Sequence, residues 1–195
     1  MNKIIEFLKP WVGAVLLVLV LHFTGLLSSI SFLAQSAILK TGLMNASAEI
    51  IEEDISFNYN FQIKDLDGNR MDFNQFKNKV VFLNLWATWC GPCRAEMPTI
   101  QKLYNKMGNN PNVVFVMLSI DNDKDLPKVI RYLKDKDYTF NGYMPSGYLT
   151  EQLNVPSIPT TFVISKEGKI IAKEIGTTNF NTNRFYNFLK TESEK

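Results

Sequence analysis

Trp-Cys-Gly-Pro-Cys at residues 89–93 is the strongest indication of the fold, because it joins an apolar run to a helical pattern. It contains the only two cysteines of the chain, Cys90 and Cys93. The run before it at 80–86, Val-Val-Phe-Leu-Asn-Leu-Trp, is typical of a central strand buried on both faces. A Cys-x-x-Cys pair placed between a strand and a helix predicts a redox site.

The order of the two cysteines predicts their roles. A thiolate at Cys90, where the helix starts, is stabilised by unpaired backbone N–H groups and by the positive end of the helix dipole. Cys93 follows three residues later on the same helical face, so it is expected to resolve the mixed disulfide that Cys90 forms. Gly91 leaves room beside the attacking sulfur. Pro92 fixes φ in a first turn, where its missing N–H costs little.

The cysteine pair could also belong to a structural zinc site or form a purely structural disulfide. A structural zinc site takes about four nitrogen and sulfur ligands. The chain has two cysteines and one histidine, His22, which lies in a distant apolar segment. A purely structural disulfide across so short a loop would stabilise the fold little. We therefore expect a catalytic pair, with no metal and no cofactor.

The N-terminal part of the chain is strongly apolar. No Asp, Glu, Lys or Arg occurs between Lys9 and Lys40. A transmembrane segment at about 11–33 is long enough for a bilayer core, which needs roughly 20 apolar residues. Lys3 and Lys9 before it favour a cytoplasmic N-terminus and an exported remainder.

These features predict a single-pass membrane anchor at 1–40 in the inner (cytoplasmic) membrane. The catalytic domain is then expected on the periplasmic or extracytoplasmic side. A cleaved signal peptide, with the small residues 46–48 as its cleavage site, is an alternative. A buried soluble helix is a second alternative.

The rest of the chain is predicted to form a linker at 41–54 and one domain at 55–195. The predicted strands and helices follow the order β-β-β-α-β-α-α-β-β-α, which indicates a mixed sheet with helices on both faces. The expected elements include strands at 57–63, 80–86, 113–120, 160–165 and 170–175, a hairpin turn at 67–68 and a short helix at 148–153. The net charge of +2 gives no argument for a nucleic-acid partner, and we expect a monomer.

Two stretches carry a family resemblance. Residues 85–98, Leu-Trp-Ala-Thr-Trp-Cys-Gly-Pro-Cys-Arg-Ala-Glu-Met-Pro, and residues 157–162, Ser-Ile-Pro-Thr-Thr-Phe, resemble the thioredoxin superfamily. The chain is more narrowly similar to the membrane-anchored TlpA/ResA-like thiol–disulfide oxidoreductases. The resemblance implies a thioredoxin-like α/β fold: a central mixed β-sheet, helices on both faces and an N-terminal β-hairpin extension.

The resemblance also implies roles for residues around the pair. Pro159 matches the cis-proline that faces the two cysteines, and the alternative is a plain proline at the start of a strand. A cis bond there would hold the Ile158 backbone beside the sulfurs, where it could pair with an extended substrate segment. Trp89 is expected to shape the surface that partners touch.

Glu96 matches an acidic residue that tunes the thiols in the ResA-like group. A carboxylate there disfavours thiolate and can relay a proton to the leaving thiol. An ordinary solvated acid near the start of a helix is the alternative. Asn84 occupies a strand position where ordinary thioredoxins carry a buried Asp, and Asn cannot titrate. Glu96 is therefore the expected substitute for that Asp.

The function implied by the resemblance is reduction of disulfides in exported proteins, with apocytochrome c as a candidate substrate. A polytopic membrane thiol transporter would supply the electrons. A dithiol oxidant or isomerase that forms disulfides is one alternative. A copper-handling module on the same fold is another, but such modules usually add a distant His or Met set, and the only histidine is His22.

Overall fold

The computed structural model describes residues 11–18, 20–21, 26–47 and 54–195. Short 3₁₀ turns lie at Phe73–Phe76, Asp123–Asp125 and Glu151–Leu153. Residues 11–18 are helical. From residue 26 onward the helices and strands are, in chain order, α1 (Leu26–Lys40), β1 (Gln62–Asp65), β2 (Arg70–Asp72), β3 (Val80–Trp86), α2 (Gly91–Met107), β4 (Val113–Ser119), α3 (Leu126–Asp135), β5 (Gly142–Pro145), β6 (Thr160–Ile164), β7 (Ile170–Ile175) and α4 (Asn183–Glu194).

The strands form one mixed sheet in the order β2-β1-β5-β4-β3-β6-β7. The pairs β3–β4 and β4–β5 are parallel, while β3–β6, β6–β7, β1–β2 and β1–β5 are antiparallel. This arrangement confirms the predicted thioredoxin-like α/β fold with its hairpin extension. It also places the carboxyl ends of β3 and β4 at one edge of the sheet.

Strand β3 is central, as the continuous apolar run predicts. All seven of its residues are buried. Phe82 and Trp86 point into one hydrophobic cluster with residues of α2, whereas Leu83 and Leu85 point into the cluster on the opposite face. Burial on both faces holds the strand in the core, and the loop that carries Cys90 begins at its end.

Helix α2 starts directly after this loop. Cys90 is its N-cap residue, with an extended backbone, and Pro92 lies in the first turn, where a missing N–H is tolerated. The helix continues through Pro98 and ends before Gly108, whose φ of 58° suits glycine. Ile100 and Leu103 are fully buried, so one apolar face of the helix packs on the core.

The predicted strand at 57–63 is wrong over most of its length, since β1 begins only at Gln62. Phe57, Tyr59 and Phe61 are nevertheless buried, and the residues between them are exposed. These aromatic side chains pack around Phe73. The alternation thus reflects an extended segment lying on the core, without a strand partner for most of its backbone.

Two further expectations differ from the structure. Strand β5 has no counterpart in the predicted order. Its sequence, with glycine at 142 and proline at 145, is more typical of a turn than of a strand. A Cβ added at Gly142 would lie 2.7 Å from the Leu133 Cδ1, so any larger residue here would have to displace that side chain. The predicted helix at 148–153 is only a 3₁₀ turn at Glu151–Leu153.

Part of the segment before the domain contacts it. Within the predicted linker, Ala46 is buried and Asn45 forms an isolated bridge with Asn179, whereas residues 48–53 lie outside the described residues. The predicted transmembrane segment at 11–33 includes residues 19 and 22–25, which also lie outside them. In the part of the chain that the structure describes, no helix has the length and apolarity needed to cross a membrane.

Candidate functional site

Cys90 and Cys93 form a disulfide at the start of α2. Cys90 is 5% exposed and Cys93 is 1% exposed, so the first cysteine is the more accessible one. The backbone N–H of Cys93 donates to the Cys90 Sγ over 3.1 Å. This donor and the helix dipole both stabilise negative charge on Cys90 in the reduced pair.

The loop before β6 faces the disulfide. The peptide bond between Ile158 and Pro159 is cis, and Pro159 is buried. The Cys90 Sγ lies 3.8 Å from the Ile158 carbonyl oxygen. Because β6 pairs with β3, the loop that enters β6 meets the residues that follow β3. The structure thus brings Cys90, Cys93, Ile158 and Pro159 together.

The two tryptophans beside the pair differ in exposure. Trp86 is fully buried in the core, whereas the Trp89 side chain is 62% exposed. Gly91 is buried and Pro92 is half-buried in the first turn of α2. Trp89 therefore presents an apolar surface next to the redox pair, and its role in binding partners stays a prediction.

Glu96 lies one turn after Cys93 and is 1% exposed. Its Oε1 accepts a hydrogen bond of 2.9 Å from the Asn84 side chain, and its Oε2 accepts one of 2.8 Å from the Thr178 backbone N–H. Burial raises the pKa of Glu96 to about 8, although both hydrogen bonds oppose this shift, and the negative charge of Glu174 adds to it. The geometry is not that of a solvated helix acid.

A buried carboxyl with a pKa close to neutrality can hold or release a proton at physiological pH. Asn84 also donates to the Thr161 Oγ1 over 2.8 Å, so this strand residue links Glu96 to β6. Asn84 is thus a hydrogen-bonding residue of the core, and Glu96 is the titratable group on that side of the pair.

Asp121 is a residue that the sequence analysis missed. It is 6% exposed and follows the carboxyl end of β4. It accepts hydrogen bonds from the backbone N–H and the Oγ1 of Thr88, at 2.8 and 2.7 Å, and from the Ser119 Oγ at 2.6 Å. These bonds fix the loop that carries Cys90. A polar residue directly after a parallel strand is the signal that could have identified it.

Arg94, directly after Cys93, is packed between two aromatic rings. Its guanidinium carbon lies 5.5 Å from the ring centroid of Phe32 and 5.7 Å from that of Tyr132. Cation–π contacts of this kind hold the side chain in place and connect α1 with α3 across the redox helix.

No cluster of three or more His, Cys, Asp or Glu that could hold a metal ion occurs within the described ranges. His22, the only histidine, lies outside them.

Comparison with known proteins identifies the family. The Redoxin family profile matches residues 55–188, which is more than half of the chain. The chain belongs to the Redoxin family. A thiol-disulfide oxidoreductase ResA of Bacillus cereus (strain ZK / E33L) is 35% identical over 118 residues, which cover 60% of this chain and 66% of the relative. The match to this relative thus spans slightly less than two thirds of its length.

Other relatives of this Redoxin-family protein extend the comparison. The thioredoxin-like protein YneN of Bacillus subtilis (strain 168) is 28% identical over 170 residues, covering 87% of this chain and 92% of YneN. The crystal structure of StoA from Bacillus subtilis has a TM-score of 0.54 at 25% identity and covers 65% of this chain and 95% of StoA. A thiol:disulfide interchange protein from Chlorobium tepidum TLS has a TM-score of 0.58 at 23% identity, with 73% and 99% covered, and shows the shared fold.

This Redoxin-family protein is a TlpA/ResA-like member of the thioredoxin superfamily, and the Cys90–Cys93 disulfide is its candidate redox site.

Proposed function

We propose that this protein is a thiol–disulfide oxidoreductase, anchored in the cytoplasmic membrane, that reduces disulfides in exported proteins. The observation that carries the proposal is the placement of the Cys90–Cys93 pair at the start of α2, 3.8 Å from the Ile158 carbonyl oxygen. The ResA relatives, named as thiol-disulfide oxidoreductases, support the same activity. The apolar segment with Lys3 and Lys9 before it supports the anchored, extracytoplasmic location.

The reaction starts from the reduced pair. The Cys90 thiolate attacks one sulfur of a substrate disulfide, forms a mixed disulfide and releases the other substrate sulfur as a thiolate. The Cys93 thiolate then attacks the Cys90 Sγ, which forms the Cys90–Cys93 disulfide and releases the second substrate sulfur. Two electrons pass to the substrate, and two protons complete its thiols.

The surroundings of the pair support each step. The first turn of α2 stabilises the Cys90 thiolate through the Cys93 N–H. The Ile158 backbone offers a hydrogen-bonding edge to an extended substrate segment, and the exposed Trp89 offers apolar contact next to it. Glu96 exchanges a proton with Cys93, which it follows by three residues, as that thiol forms or loses its bond.

Reduction is the favoured direction because a Gly-Pro dipeptide separates the cysteines, as in reducing thioredoxins, whose potentials lie near about −270 mV. An exported reductant must be reduced again after each turnover, and a membrane thiol transporter is the partner we propose for this step. Apocytochrome c before haem attachment is the substrate we propose by analogy with the family.

The test is the reduction potential of the Cys90–Cys93 pair. It is measured on the full chain in detergent by equilibration with glutathione or dithiothreitol buffers. A value near or below about −230 mV supports a reductant. A value above about −180 mV would instead make the protein a disulfide-forming oxidant or an isomerase, because the same geometry serves either direction.

A further inference from the structure

Residues 35–47 lie against the redox domain although they precede the region that matches the Redoxin family, which begins at residue 55. Helix α1 packs on the redox helix α2, and Leu39 near its end is 6% exposed. A cavity of about 320 Å³ at this contact is lined in part by Leu39, Pro98 and Thr99. The segment is therefore an ordered part of the structure around α2.

The first side-chain contact of this segment is with the loop after β7. The Thr177 Oγ1 donates a hydrogen bond to the Gln35 Oε1. Thr177 itself is buried, at 5% exposure. Helix α1 thus contacts the loop that follows β7 through this hydrogen bond.

The turn after α1 holds the same loop through its backbone. The Asn179 N–H donates to the Met44 carbonyl over 2.6 Å, and the Ala46 N–H donates to the Asn179 carbonyl over 3.1 Å. The two asparagine side chains are also joined, since the Asn179 Nδ2 donates to the Asn45 Oδ1 over 2.8 Å. Ala46 is buried in the same hydrophobic cluster as Cys93.

Ser47 makes the third contact, with β7. Its backbone N–H and its Oγ both donate to the Glu174 Oε1, at 2.8 and 2.6 Å. Glu174 is the charged residue whose field acts on Glu96. Ser47 therefore fixes where that negative charge lies.

Thr178 lies between Thr177 and Asn179 in the loop and connects these contacts to Glu96. Its neighbours Thr177 and Asn179 are both bonded to the N-terminal segment, and its own N–H donates to the Glu96 Oε2 over 2.8 Å. A backbone donor on a loop is held only as firmly as the loop itself. If the loop moves away, one oxygen of a buried carboxyl loses its partner.

We propose that residues 35–47 are a positioning element of the redox site, which holds the loop at 177–179 so that the Thr178 N–H stays on the Glu96 carboxyl group. The inference rests on the proposed redox function and adds residues outside the family region to the site. Through this contact, the orientation of the Glu96 carboxyl group depends on a segment that begins in the last residues of the predicted anchor at 1–40 and ends in the predicted linker.

The consequence for the chemistry is a rate effect. When a thiolate attacks the Cys90 Sγ, the Sγ–Sγ bond breaks and Cys93 leaves as a thiolate that takes up a proton. Glu96 supplies that proton when it is held in place. A loosened loop leaves Glu96 in the core but turns it away from its productive orientation, and the step slows.

The test compares second-order rates of reduction of the Cys90–Cys93 disulfide by dithiothreitol at pH 7, on the full chain in detergent. The combined variant Gln35→Ala/Asn45→Ala/Ser47→Ala removes the side-chain contacts on the loop and on Glu174. We expect its rate to fall roughly threefold to tenfold, a part of the hundredfold or more that a positioned acid contributes. In a Glu96→Gln background the same substitutions should change the rate by less than about 1.5-fold, because the two sites act through one group.

Leu43→Ala is the matched control, because Leu43 belongs to the same segment and its side chain is 84% exposed. It should leave the rate unchanged. Ser47→Ala alone serves as a milder variant if the combined one unfolds, and tryptophan fluorescence checks the fold of each. Equal slowing with and without Glu96, or no slowing at all, overturns the inference. A wild-type pair that dithiothreitol does not reduce reversibly would instead count against the proposed function.

Discussion

Asn84 donates a hydrogen bond of 2.9 Å from its Nδ2 to the Oε1 of Glu96, which joins the central strand to the redox helix. Among the described residues, the Asn84 Oδ1 is buried without a hydrogen-bond partner. A half-turn of the amide exchanges its nitrogen and oxygen, after which the oxygen can accept a hydrogen bond from a protonated Glu96. That half-turn would also take the Nδ2 away from the Thr161 Oγ1, so the observed orientation of Asn84 suits the carboxylate form of Glu96.

Replacing this amide with an acid should destabilise the protein as pH rises. Asn84→Asp places a second buried carboxyl against Glu96, and two like charges at that distance cannot both ionise cheaply. We expect the free energy of unfolding at pH 8 to fall by about 2 kcal/mol or more relative to its value at pH 5. Urea unfolding at the two pH values measures this. Asn84→Ala is the control, and its loss should show no such additional pH dependence.

Glu96 should make the stability of the wild-type protein pH-dependent. Its pKa is about 8 in the folded state, above the ordinary value of 4.5, so the folded protein binds more protons than the unfolded chain between these values. The stability associated with protonated Glu96 is complete below pH 4.5 and is lost as pH rises through about 8. The slope is at most about 1.4 kcal/mol per pH unit.

Glu96→Gln should remove this slope, because Gln cannot titrate. Chemical unfolding of both proteins at pH 5, 6.5 and 8 gives the comparison. The exposed acid Glu151 supplies the control variant Glu151→Gln, which should follow the wild type. Parallel profiles for Glu96→Gln and wild type would show that Glu96 does not titrate in this range.

The two cysteines should differ in trapping experiments. Cys90 is the more exposed sulfur and accepts the Cys93 N–H, so it is the expected attacking group. Cys93→Ser, reduced and then mixed with a peptide disulfide, should accumulate a mixed disulfide at Cys90 that mass spectrometry detects. Cys90→Ser should not. Equal trapping by both variants would falsify the assignment of nucleophile and resolving thiol.

Asp121 should stabilise the loop that carries Cys90, because it accepts hydrogen bonds from Thr88. Asp121→Ala leaves the Thr88 N–H and two hydroxyl groups without their acceptor, which should cost about 1–3 kcal/mol of unfolding free energy. Asp121→Asn keeps one acceptor oxygen and should cost less. Urea unfolding ranks the two variants. A cost for Asp121→Ala within error of zero would mean that these hydrogen bonds are replaced by water.

Trp89 should affect binding more than stability. Its side chain is 62% exposed, so Trp89→Ala should change the unfolding free energy by no more than about 0.5 kcal/mol. We expect the KM for a disulfide-containing peptide to rise, because apolar contact next to Cys90 is lost. Ile130→Ala on α3, another partly exposed apolar residue, is the control. A fall in kcat at constant KM would assign Trp89 to the chemical step instead.

The elements predicted most accurately from the sequence are those whose local sequence pattern agrees with their environment in the folded protein. Strand β3 follows a continuous apolar run, and α2 is bounded by Cys90 at its start and Gly108 at its end. The cis bond before Pro159 follows from the resemblance to the thioredoxin superfamily. In these places composition, spacing and tertiary environment all favour the same structure.

The elements and contacts that the sequence did not predict depend on interactions between distant parts of the chain. Strand β5 is stabilised by its neighbours β1 and β4, although its own residues resemble a turn. The Thr178 group that donates to Glu96 is a backbone N–H, so the type of residue at this position gives no indication of the contact. The docking of residues 41–47 likewise depends on Asn179 and Glu174, more than 100 residues later. Local patterns cannot reveal such partners.

The two edge strands of the sheet, β2 and β7, offer little backbone for pairing with another molecule. Strand β2 has only three residues, with Arg70 and Asp72 exposed. Strand β7 is partly covered by residues 55–57, since the Phe57 N–H donates to the Gly168 carbonyl and the Ile170 N–H to the Ile55 carbonyl. Short, charged or covered borders discourage intermolecular strand addition. Under the proposed membrane anchoring, molecules held close together in two dimensions would thus collide often without assembling into fibres.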